Sequence, residues 1–262
     1  MASALRQFDL KEIRDSRCHY LVGADEAGRG ALAGPVVSAA VMVPASFYGS
    51  SWCRRRCAAI NDSKQVALPV RESIYEDVLR PQTSGKLVAA VGVGSVREIE
   101  EHNILGATRI SLRRAIEEVR RDSSASILDP NAPEVGVPPA SVDSGVIFPS
   151  APDAPRPAGR PISLILIDGL PLRPFPFPHR ALVKGDGRSL AIALASIVAK
   201  VTRDAIMREL DDRYPAYGFA RHKGYGTKYH RQAVLAHGPT PVHRTTFLRK
   251  LLVQSSQATL AL

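Results

Sequence analysis

The chain has 262 residues, enough for one substantial core, and its 45% apolar content is that of a globular protein. No stretch reaches the roughly 20 consecutive apolar residues of a membrane span, Met1 to Asp15 is too polar for a secretory signal, and three cysteines are an odd number for a disulfide framework, so a cytoplasmic protein is expected. Lys and Arg number 35 against 25 Asp and Glu, a net charge of +10 that favours a polyanionic partner.

The first element is Leu21 to Asp25, a short apolar run that reads as a strand and ends in two adjacent carboxylates, Asp25 and Glu26. Ionised side chains leave water only when paired, hydrogen-bonded or bound to a cation, so two acids at a strand end suggest a cation site. Glycines on either side of Arg29 open the backbone to close approach by an anionic group, although a polar turn has the same composition. Val36 to Val43 and Lys86 to Val93 read as further strands, bounded by Gly or Pro. Between them lie Cys53 and Cys57, but no second Cys or His pair follows at zinc-site spacing. Leu68-Pro69 opens a helix through Arg80, with proline in its favoured first turn and Pro81 as the stop.

A longer helix is expected from Ser95, where Ser95 and Glu98 have capping-box spacing, through Ile99, Leu105, Ile110, Leu112, Ile116 and Val119 to about Arg121. Ser123 to Pro161 then holds nine prolines with no helical or strand period, and reads as a flexible surface insertion. Ser163 to Gly169 is a continuous apolar run ending in Asp168 and glycine, the pattern of a strand buried on both faces. Ala181 to Asp186 repeats it with Asp186 at the end, and Ser189 to Asp212 follows as an Ala-rich helix packed on the sheet. Strands alternating with helices in this order give an α/β domain of mixed sheet.

From Arg213 onward there is no Asp or Glu, while eight Lys and Arg residues are interleaved with His222, His230, His237, His243 and six aromatics. Basic solubilising tails are usually low in aromatics, so this composition favours a surface that tracks phosphates and stacks on bases. The expected organisation is a catalytic domain over 1–212, carrying the insertion 123–161, and a basic, helical substrate-binding region over 213–262.

Asp25, Glu26, Asp168 and Asp186 form an all-oxygen set suited to two hard divalent ions, Mg²⁺ or Mn²⁺, bridging a scissile phosphate. Histidine and cysteine would instead suit zinc, and the chain has no Gly-x-Ser-x-Gly elbow for acyl transfer. Gly28 to Ala33 also fits a dinucleotide-binding fingerprint. That fingerprint should open a helix, whereas Val36 onward reads as a strand, and the two acids before it would repel a pyrophosphate unless metal intervened. A nucleic-acid binding protein without catalysis would leave the four acids unexplained.

The ordered segments Asp25-Glu26-Ala27-Gly28-Arg29-Gly30, Asn61-Asp62-Ser63-Lys64, Asn103-Ile104-Leu105, Ile167-Asp168-Gly169, Lys184-Gly185-Asp186, Ala195 to Asp204 and His222 to Thr227 resemble those of bacterial ribonuclease HII, a type 2 ribonuclease H. The resemblance implies a ribonuclease H-like fold, a mixed five-stranded sheet flanked by helices with a small basic helical C-terminal extension. It implies endonucleolytic cleavage of RNA in RNA-DNA hybrids, and incision 5′ of ribonucleotides embedded in duplex DNA. By the same resemblance Asp25, Glu26, Asp168 and Asp186 are the metal-binding carboxylates. Gly28, Arg29 and Gly30 sense the 2′-OH, and Tyr225 packs on the sugar beyond the junction; glycine backbone can approach a 2′-OH closely. Asn61, Lys64, Asn103 and Ser196 are candidate phosphate contacts, with helix caps or surface polar residues as the plain alternatives. Asp204 is left out of the site, because four residues after Lys200 on a helix it reads as that lysine's ion-pair partner. The expected partners are hybrid and ribonucleotide-containing duplex bound by a monomer, with a sliding clamp left open.

Overall fold

A computed structural model describes residues 4–56, 60, 67–79, 87–122 and 163–260. The insertion expected at 123–161, the candidates Asn61 and Lys64, the helix stop at Arg80 and Pro81, and Lys86 lie outside the described residues. In chain order the elements are α1 (Ala4–Ser16), β1 (Tyr20–Ala27), β2 (Val36–Pro44), α2 (Ser51–Arg56), α3 (Leu68–Leu79), β3 (Val88–Gly94), α4 (Val96–Asp122), β4 (Ser163–Asp168), β5 (Arg180–Leu182), α5 (Leu190–Arg213), α6 (Phe219–His222), α7 (Lys228–His237) and α8 (Thr245–Leu260).

The sheet has five strands in the order β3-β2-β1-β4-β5, with β2 antiparallel to both of its neighbours, β1 and β3, and with β4 and β5 parallel to β1. Central strands buried on both faces explain the unbroken apolar runs of β1, β2 and β4. Alternation along each strand divides them. Leu21, Val41, Leu164, Leu166 and Leu182 pack in one core with Leu194, Ile197 and Val198 of α5, joined by Leu5 of α1 and Ile74 of α3. Val22, Ala24, Ala40, Ile165 and Ile167 pack in a second core with Leu112, Ile116 and Val119 of α4.

Three elements depart from expectation. The α4 stretch begins with the anticipated capping box, Ser95 Oγ accepting from the Glu98 N–H and Glu98 Oε2 from the Ser95 N–H. It is broken at Asn103, whose φ of 56° and ψ of 175° interrupt the helix. The strand expected over Ala181 to Asp186 stops at Leu182, because Lys184 adopts a left-handed conformation and Gly185–Gly187 makes a single tight turn into α5. Helix α1 was not anticipated: its inner face carries Asp9 and Glu12 beside Leu5, so its apolar stripe is incomplete.

Beyond α5 the chain folds back. Tyr217, Phe219, Ala233, Val234 and Leu248 form a third core with Met207 and Leu210 of α5 and with Ala33 of the β1–β2 loop. No helix among the described residues is long and apolar enough to cross a membrane.

Candidate active site

Parallel register sets Ala24 opposite Ile167, and the next residues along the two strands are Asp25 and Asp168. By alternation both lie on the face covered by α5, since Leu21 and Leu166 of the same strands belong to the α5 core. Asp25 is buried, and the Ser196 hydroxyl on α5 and the Glu26 N–H, 2.7 Å from Oδ1, both bond to it. Burial, followed by the negative charges of Glu26 and Asp168, pushes the Asp25 carboxyl well above the usual carboxylate range, more than its hydrogen bonds offset. Such a group is stabilised in its ionised form by a nearby cation.

Asp168 is held from the other side. Its Oδ1 accepts the Gly185 N–H at 2.6 Å, which draws the turn carrying the buried Asp186 toward β4. Asp186 is not among the residues lining the cleft itself. The cleft, about 420 Å³, is lined by Asp25, Glu26, Gly28, Arg29, Gly30, Asp168, Ser196 and Tyr225, with Ala27, Arg71 and Lys200. Eight of the expected positions therefore converge at the ends of β1 and β4.

Asn103 does not join them. Its Oδ1 accepts the N–H groups of Leu105 and Gly106 at 2.9 and 3.1 Å, which makes it the cap of the second half of α4. Asp204 binds Lys200 Nζ at 2.5 Å, the ion pair anticipated from their spacing.

Two buried arginines build the loop that carries Gly28 to Gly30. Arg203 on α5 donates to the carbonyls of Ala33, Pro35 and Lys223, and Arg244 donates to those of Arg29 and Gly34. Gly28 has φ of +94°, and a Cβ there would stand 1.9 Å from Arg203 Nε. Arg29 extends outward, half exposed, to Glu26 Oε1 at 3.0 Å. The Arg203 guanidinium also lies 5.5 Å from the centre of the Tyr225 ring, so one face of that ring is backed by a cation.

The basic region is sorted differently from its sequence reading. His222, His230 and His243, expected on a nucleic-acid surface, are buried, as are Tyr217, Phe219 and Arg244. The rings stack on one another, His222 on His230 at 4.4 Å and Tyr217 on Phe219 at 5.6 Å, and so belong to the third core. Arg213, Arg221, Lys228, Arg231 and Arg249 remain exposed, together with Tyr225 and Tyr229.

Sequence reasoning missed Arg71, Arg203 and Arg244. Arg71 follows Asn61 to Lys64 closely, but an arginine on a surface helix carries no signal by itself. The hydrogen bonds of Arg203 and Arg244 go to backbone carbonyls, which no residue pattern records.

The carboxylates suit hard divalent ions by donor chemistry, since every acidic side chain offered is an oxygen donor. Among the described residues no three His, Cys, Asp or Glu side chains close into a ready cage. Mg²⁺ ordinarily takes only one or two carboxylates and completes its shell with water and substrate phosphate, so an open set fits it.

Comparison with known proteins bears on most of the chain. The sequence model of the family described as Ribonuclease HII matches residues 22–133 and 174–250. Ribonuclease HII of Syntrophotalea carbinolica is 36% identical over 238 residues, 90% of each chain. Among solved structures, the ribonuclease H2 of Pyrococcus horikoshii OT3 aligns with a TM-score of 0.57 at 20% identity, over 88% of this chain and 96% of its own. Bst-RNase HIII in complex with Mn²⁺ aligns with a TM-score of 0.55 at 16% identity, over 91% of this chain and 70% of its own. At those identities the structural likeness concerns the fold.

Proposed function

Because the chain belongs to the ribonuclease HII family and is a ribonuclease H, we propose that it cleaves RNA in RNA-DNA hybrids endonucleolytically and incises 5′ of ribonucleotides embedded in duplex DNA. The observation that carries the reading is the adjacency of Asp25 and Asp168 at the ends of parallel strands, in a cleft shared with Gly28 to Gly30 and Tyr225. Mg²⁺ or Mn²⁺, as a pair of ions, supplies activation of the attacking water and charge stabilisation at the leaving oxygen when bound. Asp25 and Asp168 would hold that pair, with Glu26 and Asp186 completing the ligand set. Ser196 keeps Asp25 oriented through its hydroxyl.

The remaining cleft residues select and seat the substrate in this reading. Gly28, Arg29 and Gly30 present main chain to the 2′-OH, the atom that separates RNA from DNA. Tyr225, exposed on one face and backed by Arg203 on the other, packs against the next sugar. Arg71 and Lys200 meet phosphates beside the scissile bond. Asn103 commits Oδ1 to its cap, which leaves its amide nitrogen as the group for a phosphate farther along the duplex. The proposal assigns catalysis to 1–212 and backbone tracking to the exposed cations of 213–262, in a cytoplasmic monomer.

The test is incubation with duplex DNA carrying one ribonucleotide, with and without Mg²⁺, beside an all-DNA duplex. A metal-dependent nick on the 5′ side of the ribonucleotide, absent from the control, is the expected result. Binding without any nick would sink the reading.

A further inference from the structure

Tyr225 sits between Gly224 and Gly226, so its own backbone does little to fix where the ring points. Gly224 takes a φ of +78°, and the Tyr225 side chain is more than a third exposed. The ring's direction therefore depends on what holds the main chain of this residue. Its N–H donates to the His222 carbonyl at 2.9 Å, and its carbonyl accepts from the Thr227 N–H at 2.8 Å and from His230 Nδ1 at 3.0 Å.

Behind His230 the bonds form a directional chain. The carbonyl of Tyr225 can only accept, so His230 Nδ1 carries a proton and, in the neutral ring, Nε2 does not. His243 Nε2 lies 3.0 Å from that Nε2 and must donate to it. His243 Nδ1 is then an acceptor, and it receives the Thr240 N–H at 3.0 Å and the Thr240 hydroxyl at 2.8 Å. His222 is satisfied separately, Nδ1 accepting from the Gly224 N–H and Nε2 donating to the Tyr217 carbonyl. Every ring nitrogen has a partner only when all three imidazoles are neutral. A proton added to His230 or His243 would set two N–H groups against each other. Burial lowers the basicity of both rings, His243 to about 4, which keeps the chain intact at neutral pH.

We propose that His230 and His243 are positioning residues for Tyr225, acting through its main-chain carbonyl to hold the ring against the substrate sugar. The proposal rests on the reading of Tyr225 as a substrate contact given above. It assigns to the buried histidines of the Gly-rich segment a part in recognition, with no contact to the substrate themselves.

The test compares binding of a fluorescent RNA-DNA hybrid without divalent ions, by anisotropy, for wild type, Tyr225→Ala, His230→Asn, His230→Gln and the double variant Tyr225→Ala/His230→Gln. Asparagine returns an N–H close to the place of Nδ1, whereas glutamine reaches the place of Nε2 and leaves the Tyr225 carbonyl without it. Tyr225→Ala is expected to weaken binding about tenfold, the loss of one stacked contact. His230→Gln should weaken it about fivefold and His230→Asn less than twofold, with the double variant no weaker than Tyr225→Ala. A merely structural histidine would penalise Asn and Gln alike, and its effect would multiply with that of Tyr225→Ala; either result overturns the positioning role. Wild-type affinity in Tyr225→Ala would instead overturn the reading of Tyr225 itself. Imidazole nitrogen chemical shifts of the wild-type protein provide an arm independent of any variant. They should show Nδ1–H on His230 and Nε2–H on His243, and the opposite tautomers would end the proposal.

Discussion

Asp25 and Asp168 follow residues paired in parallel register, and both sit on the sheet face covered by α5. Neighbouring strands are about 4.8 Å apart, so two carboxylates so placed repel unless a cation lies between them. The Gly185 N–H at Asp168 Oδ1 and the Ser196 hydroxyl at Asp25 orient the pair without neutralising it.

Asp168→Asn should therefore abolish incision while sparing the hybrid. The amide oxygen still accepts from Gly185, so the turn into α5 keeps its anchor. Loss of about 10³-fold in kcat, the equivalent of about 4 kcal/mol, is expected with hybrid affinity within a factor of two. Retained turnover in a single-ribonucleotide assay would remove Asp168 from the site.

The same repulsion gives a stability prediction. Mg²⁺ should raise the melting temperature of the wild-type protein relative to EDTA, because ligand that binds only the folded state stabilises it by mass action. In Asp25→Asn the increment should shrink, and the EDTA-treated variant should melt above EDTA-treated wild type at pH 8. Equal increments in the two proteins would show that the ion binds elsewhere.

Gly28 and Gly30 separate packing from recognition. A Cβ at Gly28 meets Arg203 in a backbone conformation that L-residues avoid, whereas at Gly30 nothing lies within 4 Å. Gly28→Ala should lower stability by about 1 to 3 kcal/mol, whereas Gly30→Ala should leave the urea midpoint unchanged. A fall in incision by Gly30→Ala at unchanged stability then reports crowding of the substrate. Full activity in that variant would remove Gly30 from close approach to the 2′-OH.

Much of this architecture is legible in the sequence for one reason. Strands buried on both faces need continuous apolar runs, and carboxylates at their ends stand out against them, as at Asp25 and Asp168. Where a signal had two readings, the structure divided it. Val183 extends the apolar run before Asp186, yet the chain must turn there to deliver Ser189 as the cap of α5, its hydroxyl accepting from the Ile192 N–H. Apolar spacing carries on past Asn103, so no break is signalled. The histidines looked like surface groups because composition cannot tell a charged imidazole from a neutral one whose nitrogens are all bonded. Arg203 and Arg244 were invisible for the related reason that their partners are backbone carbonyls.

Arg71 is a prediction drawn from position alone. It lies on α3 and lines the cleft with Lys200, where a duplex would bring its phosphates. Arg71→Ala should raise KM about tenfold with kcat within twofold, and should lower the slope of log affinity against log salt by about 1. An unchanged slope would mean that Arg71 meets no phosphate.

Asp9 supplies a pH dependence far from the cleft. It is fully buried under the start of α5, where Oδ2 accepts from the Tyr48 hydroxyl and the Ala191 N–H, both within 2.9 Å. Burial outweighs those bonds and raises its carboxyl from 3.8 to about 7. Below pH 4 the acid is protonated in both folded and unfolded chains, and its favourable contribution is complete. As pH rises toward 7 the unfolded chain loses the proton while the folded chain retains it, so stability falls, and it levels off above the folded value. Asp9→Asn keeps an oxygen for Tyr48 and Ala191 but has no proton to lose. Relative to wild type it should gain about 1 to 4 kcal/mol between pH 4 and pH 8. Urea denaturation of the two proteins at pH 4, 6 and 8 measures that difference, and a constant gap across the three would show that Asp9 does not titrate in this range.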